Sequence, residues 1–211
     1  MRARISSVAR RLFLARGYQN TKMREIKEAA GVKMGTIYHF YKNKEDILEK
    51  IVMNAFFRVQ ERTERFAGGD RQLHLAAELA WHVHTMAQHA PSAELYMIAY
   101  NSPTISAQLL VNQMERSRMI FGERFPTWEV SDYEVYAMSA RGLMQSISLQ
   151  AVSDTLRRPE AIIERSVALL LKTLDTPARE IDAILARLRE LNLDARVRET
   201  LSADSMSVAE R

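Results

Sequence analysis

Gly31-Val32-Lys33-Met34-Gly35-Thr36-Ile37-Tyr38-His39-Phe40-Tyr41-Lys42-Asn43-Lys44-Glu45-Asp46 is the stretch that decides how this chain folds. Ile37 and Phe40 stand three apart, which puts them on one side of a helix of about two turns over residues 34–41. Residues 24–30 form a second such segment, with Ile26, Ala29 and Ala30 turned inward, and Gly31-Val32 separates the two. Two short helices joined by a tight, glycine-containing turn predict a helix-turn-helix. Once Ile37 and Phe40 are committed to a core, Lys33, Met34, Thr36 and His39 remain outside. Gly35 keeps that face low, so a large partner can approach the backbone closely. A helix that lies in the major groove of a duplex needs such a face.

Working outward, Ile5, Val8, Ala9, Leu12 and Phe13 repeat at helical spacing, and Gly17 ends that segment. Asn43 is a cap for a longer helix with Asp46 in its first turn, closed by Gly68-Gly69-Asp70. Asp70 caps a helix to about residue 88, and Pro91 suits the first turn of a short one. Ser102-Pro103 opens another to about 124. Ser131-Asp132-Tyr133-Glu134 reads as a capping box before 133–152. Pro159 starts a helix whose apolar residues cover too wide an arc for a one-sided surface helix, and Thr176-Pro177 starts the last. The expected fold is all-α: an N-terminal three-helix helix-turn-helix domain over 1–48 and a larger helical domain over 49–211. The polar stretch from about residue 194 is expected to fray or be disordered.

Composition narrows the function. The chain has 211 residues, 47% hydrophobic and 27% charged, with 7 Gly and 5 Pro, too few for the turns of a β-sandwich. Zero cysteines exclude disulfides, thiolate metal sites and a cysteine nucleophile. No apolar run approaches the roughly 18 residues of a membrane span. Met1-Arg2-Ala3-Arg4 is basic, but no apolar core follows as in a secretory leader. A cytoplasmic protein without membrane contact is expected. Charge is uneven: residues 1–50 hold 12 Lys and Arg against 5 acids, net +7, and the rest hold 18 against 21, net −3. A basic head on an acidic body suits a polyanion binder, although a solvated basic helix would give the same count.

The quoted stretch, with Leu12-Phe13, Gly17-Tyr18, Thr21 and Glu25-Ile26-Lys27-Glu28-Ala29-Ala30 before it, resembles the DNA-binding domain of the tetracycline-repressor (TetR) family over about residues 5–55. The resemblance implies that Tyr38, His39 and Lys44 contact phosphates and that Lys33, Met34, Gly35 and Thr36 lie nearest the bases. Where the family often has Ser or Thr at the starts of its second and third helices, this sequence has Lys22 and Lys33. Thr21, counted with the DNA-binding residues, is then the alternative cap for the second helix, and both lysines are placed to meet phosphates. The family also implies a homodimer built on residues 133–152 and 159–174. The implied function is a ligand-responsive transcriptional regulator, in particular a repressor released from a palindromic double-stranded DNA operator by a small, largely apolar effector. The rivals are a constitutive or nucleoid-type DNA binder, and a helical carrier or enzyme whose basic head is incidental.

For the effector, the methionines and aromatics between 53 and 144 suit an adaptable cavity, although such residues also simply fill cores. The candidates are Trp81, Met97, Tyr100, Met114, Arg118, Phe121, Met138, Arg141 and Gln145. Arg118 and Arg141 fall in phase with apolar neighbours, and a buried arginine must be paired. His82 and His84 face different sides of one helix, and no histidine pair has i, i+4 spacing. No metal site, cofactor or catalytic residue is expected.

Overall fold

The computed structural model describes residues 1–209, with side chains through 203. Among the described residues there are eleven α-helices and no strands. The head contains α1 (Arg2–Arg16), α2 (Met23–Ala30) and α3 (Met34–Phe40), closed by the start of α4 (Lys44–Ala67). Ile5, Ala9 and Phe13 of α1, Ile26 and Ala30 of α2, Ile37 of α3 and Ile47 and Leu48 of α4 make its core. Tyr41 closes that core from below, and its hydroxyl donates to the Arg2 carbonyl at 3.2 Å. Gly31 ends α2 in the left-handed conformation (φ 59°), where a Cβ would also lie 2.7 Å from the Arg4 guanidinium. Ala29 is exposed, so Ile26 and Ala30 face inward from this short helix, with Met23 half-buried against the core.

The body is built around α5 (Arg71–Gln88), which packs against α4, α6 (Ala90–Asn101), α8 (Val130–Val152), α9 (Pro159–Lys172), α10 (Ala178–Glu190) and α11 (Leu193–Ala209). Every residue from 73 to 84 is buried. A helix surrounded on all sides is normally apolar all round, yet this one buries His74, Glu78, His82 and His84. Each of those polar groups must find a partner inside the protein. α7 (Pro103–Phe121) lies beside α6 and α8.

Local signals set most helix starts. Asp70 accepts from the Gln72 and Leu73 amides and Ser102 from Ile105, each satisfying amide groups that the first turn leaves free. Two boundaries differ from the sequence reading. α8 begins at Val130 rather than after a Ser131 cap, because the Asp132 carboxylate accepts the Glu129 amide at 2.8 Å and fixes the turn earlier. The segment from 194 is helical in α11. Leu193 and Val197 are buried, and Arg196 stacks on the Phe66 ring at 4.6 Å, so a polar sequence is held by one narrow apolar edge.

Candidate nucleic-acid interface and internal cavities

On α3, Lys33, Gly35, Tyr38 and His39 are exposed, and Thr36 is half-buried. Nothing lies within 4 Å of where a Gly35 Cβ would stand, so this face is open. Met34 and Phe40 are half-buried against the head core, and the His39 ring packs edge-on to Phe40 at 4.8 Å. Lys22 and Lys33 occupy the N-cap positions of α2 and α3 without a side-chain cap bond, as a side chain with no acceptor must. The Glu25 carboxylate accepts the Lys22 amide at 2.7 Å and pairs with Arg16 at 3.0 Å. That amide, more than Arg16, holds the Glu25 carboxyl below its ordinary range.

Two residues of the expected DNA-contacting set are engaged inside the protein. Thr21 is 1% exposed and donates its hydroxyl to the Gly17 carbonyl at 2.9 Å, so it braces the α1–α2 turn and does not cap α2. The Lys44 ammonium donates to the carbonyls of Tyr18 (2.8 Å) and Thr21 (3.0 Å) and lies 4.3 Å from the centre of the Tyr18 ring. Partial burial lowers its pKa. Lys44 therefore latches α4 to the α1–α2 turn with the cation that family resemblance assigns to a phosphate.

α4 continues unbroken from this latch into the body, where Phe56 borders two cavities. The first, about 150 Å³, is lined by Leu14, Ile51, Val59, Trp81, Leu95 and Tyr96, with Arg10, Arg58 and Arg62 also on its walls. Arg62 covers the Trp81 ring at 4.9 Å and donates to Thr200 of α11. In the second, about 70 Å³, Glu78, His82, Tyr100, Asn112, Gln113 and Arg141 converge with Leu109 and Met144. Burial, with the Arg116 charge nearby, pushes the His82 imidazole down to about 3. It is neutral at physiological pH and shares a 2.5 Å hydrogen bond with the Tyr96 hydroxyl. Burial also raises the pKa values of Tyr96, Tyr100 and Tyr136. Arg141 donates to the Ser106 hydroxyl, while its Nε is buried without a partner.

The structure does not bring the nine expected effector residues together. Trp81 lines the first cavity, and Tyr100 and Arg141 line the second. Met97 borders a surface groove beside Tyr18 and Ser102. Phe121 is core, edge-on to Tyr136. Gln145 donates to Asn101, Met114 is half-buried outside both cavities, and Arg118 and Met138 are exposed. The error on α7 is one of phase. Its inward face runs through Ile105, Ser106, Leu109 and Ser117, whose serines hide the stripe, so Arg116 rather than Arg118 points inward. Arg116 pairs with Glu78, and its guanidinium lies 3.2 Å from His74 Nε2. A lone carboxylate in the run Leu73 to His84 was the available sequence signal for this pair.

The architecture is thus an exposed helix-turn-helix face joined by one continuous helix to a cavity-bearing body. Residues 5–51 match the family model described as bacterial regulatory proteins, tetR family, so the head carries the N-terminal domain of that family. No curated protein matches the sequence. Among solved structures, RolR in complex with resorcinol superimposes with a TM-score of 0.66 at 19% identity, over 88% of this chain and 93% of that one. FadR from Thermus thermophilus, a TetR-family repressor in complex with lauroyl-CoA, gives 0.65 at 20% identity, over 84% and 96%. FadR from Bacillus subtilis in complex with stearoyl-CoA gives 0.60 at 20%, over 81% and 97%. At these identities the likeness extends to the fold. Among the described residues, no helix is long and apolar enough to cross a membrane.

Proposed function

We propose that the protein is a homodimeric repressor released from its operator by a small amphipathic effector. The observation that carries this reading is α4: one helix is latched to the head at Lys44 and borders both cavities at Phe56. A ligand that enlarges a cavity displaces the rod on which the head is mounted. It weakens DNA binding to the extent that it prefers the displaced form. Residues 1–48 are the head in this scheme and 49–211 the body. Lys33, Gly35 and Thr36, with Met34 at their edge, lie nearest the bases, while Tyr38, His39 and Lys22, with the Lys33 ammonium, meet phosphates. A body packed solid would favour the constitutive binder, and the two cavities argue against it.

The predicted DNA behaviour is a footprint on one pseudo-palindrome with half-sites one helical turn, or a multiple of it, apart. Each phosphate neutralised contributes roughly 0.9 to the slope of log affinity against log salt. A dimer presents Lys22 and Lys33 twice, so the double variant Lys22→Ser, Lys33→Ser should flatten that slope by up to about 3.6. An unchanged slope in fluorescence anisotropy would remove both lysines from the contact set.

Size points to the effector class. A cavity near 150 Å³ is enough for one aromatic ring, whereas a long acyl chain would require the helices to part. RolR is seen with resorcinol and the FadR proteins with acyl-CoA. We therefore assign a single-ring molecule carrying a hydroxyl or carboxylate. Such phenols and benzoates should raise the melting temperature and release operator DNA, and Arg62→Gln, on a wall of that cavity, should weaken the response to the anionic ones. Release by acyl-CoA and indifference to single-ring compounds would reverse the assignment.

A further inference from the structure

Four ionisable side chains lie in the buried run of α5, and three have hydrogen-bonding partners. His74 Nε2 is 3.0 Å from the Gln60 carbonyl, Glu78 pairs with Arg116, and His82 bonds to Tyr96. His84 is the exception. It is 7% exposed, and its Nδ1 is buried without a hydrogen-bond partner. The nearest charge it faces is Asp194 Oδ1 at 3.7 Å. A buried polar atom left in this state costs free energy that a native interior rarely tolerates without a compensating ligand.

We infer that His84, Glu160 and Asp194 bind a divalent transition-metal cation of the zinc type, which pins α11 to α5 and α9. One ligand atom from each residue lies within 4.8 Å of the others. Bonds of about 2.0–2.2 Å in a tetrahedral site require ligand atoms roughly 3.3–3.6 Å apart. The remaining ångström is within reach of Glu160, an exposed side chain in the first turn of α9. A cavity of about 250 Å³ lined by these three residues and by Glu164, Arg189 and Asn192 leaves room for the ion and a water. The His84 Nδ1, buried and without a hydrogen-bond partner, is the atom free to ligate the ion. Asp194 and Glu160 bring two carboxylates to the site, whose charge a divalent ion balances.

The neighbouring cations are otherwise engaged. Arg198 takes the other oxygen of Asp194 at 2.5 Å, and Arg189 takes Glu164 at 2.6 Å. Gln88 donates to Asp194 Oδ1 at 2.5 Å and to the Asp194 carbonyl at 3.1 Å, which orients the carboxylate as an outer-shell group does around a metal. An imidazole with two carboxylates favours zinc, cobalt, nickel or manganese over magnesium or calcium. Spacing along one helix could not reveal this site, because its ligands come from three helices. The consequence reaches the first cavity, since Val197, Thr200 and Leu201 of α11 form one wall of it. The site stands independently of the effector assignment.

The test uses the full, untagged chain after chelator treatment, titrated with zinc chloride and cobalt chloride. One equivalent per chain should bind with micromolar or tighter affinity by calorimetry, and cobalt should give visible d–d absorption. At a hundredfold excess over Kd, zinc should raise the melting temperature by about 5–10 °C. Glu160→Gln, at an exposed position, should weaken binding about tenfold or more without changing the melting temperature of the metal-free protein. His39→Ala, an exposed histidine of the head, should leave binding intact. Absence of heat and colour up to millimolar metal, full binding by Glu160→Gln, or loss of binding in His39→Ala would each overturn the assignment.

Discussion

Replacing Leu149 and Leu169 by glutamate should give a folded monomer whose operator affinity has fallen by about 10²–10⁴-fold, the advantage of engaging two half-sites together. Val135, Met138, Leu149 and Val152 are exposed on α8, and Gly142 falls between them in the same 3–4 spacing. Leu169 of α9 is 56% exposed and Leu149 57%. A monomer seldom leaves such a continuous apolar stripe to water. In the proposed homodimer a second copy with the same stripe would cover it in a two-fold, self-complementary interface. Gly142 has open space above it, which permits close helix approach. Glutamates placed there meet their own symmetry mates or an apolar wall, and both outcomes oppose association. Because the positions are exposed in the single chain, the monomer keeps its helices. Light scattering, circular dichroism and anisotropy on one operator separate the effects. A dimer that survives both changes would place the interface elsewhere.

The head was legible because its signals are local. Ile37 and Phe40 set the phase of a seven-residue helix, Gly31 marks the turn with a left-handed residue, and Asn43 accepts the Asp46 amide. What the local pattern could not show was where a long cation ends. Lys44 reads as an exposed charge at a helix start, yet it reaches back to carbonyls more than twenty residues earlier. The body was legible as helices but not as a site. A cavity is made where faces of several helices fail to meet, and on α7 the serines on the inward side shifted the apparent stripe by two residues. Arg118 looked buried for that reason, and Arg116 took its place. His84 was dismissed by spacing within α5, while its partners lie 76 and 110 residues further along the chain.

Arg116→Met should lower the stability of the free protein by about 3–5 kcal/mol, the largest single-residue effect expected in the body. Glu78 is 7% exposed and its carboxylate pairs with Arg116, with His74 beside both. Methionine fills much of the arginine stem's volume but removes the cation, so a carboxylate remains in a site from which water is largely excluded. The cost is the desolvation of that unpaired charge more than the loss of an attraction. For a chain of this size the melting temperature should fall by roughly 6–20 °C. The double variant Arg116→Met, Glu78→Met tests the cause: with neither charge buried, stability should return to near or above that of the parent. A double variant as unstable as the single one would mean that the arginine acts through packing. Glu78 also lines the second cavity, so the two variants divide another question. If the pair only holds α5 to α7, the double variant should respond to effectors as the parent does. If Glu78 itself contacts the effector, its response should be lost although the fold is restored.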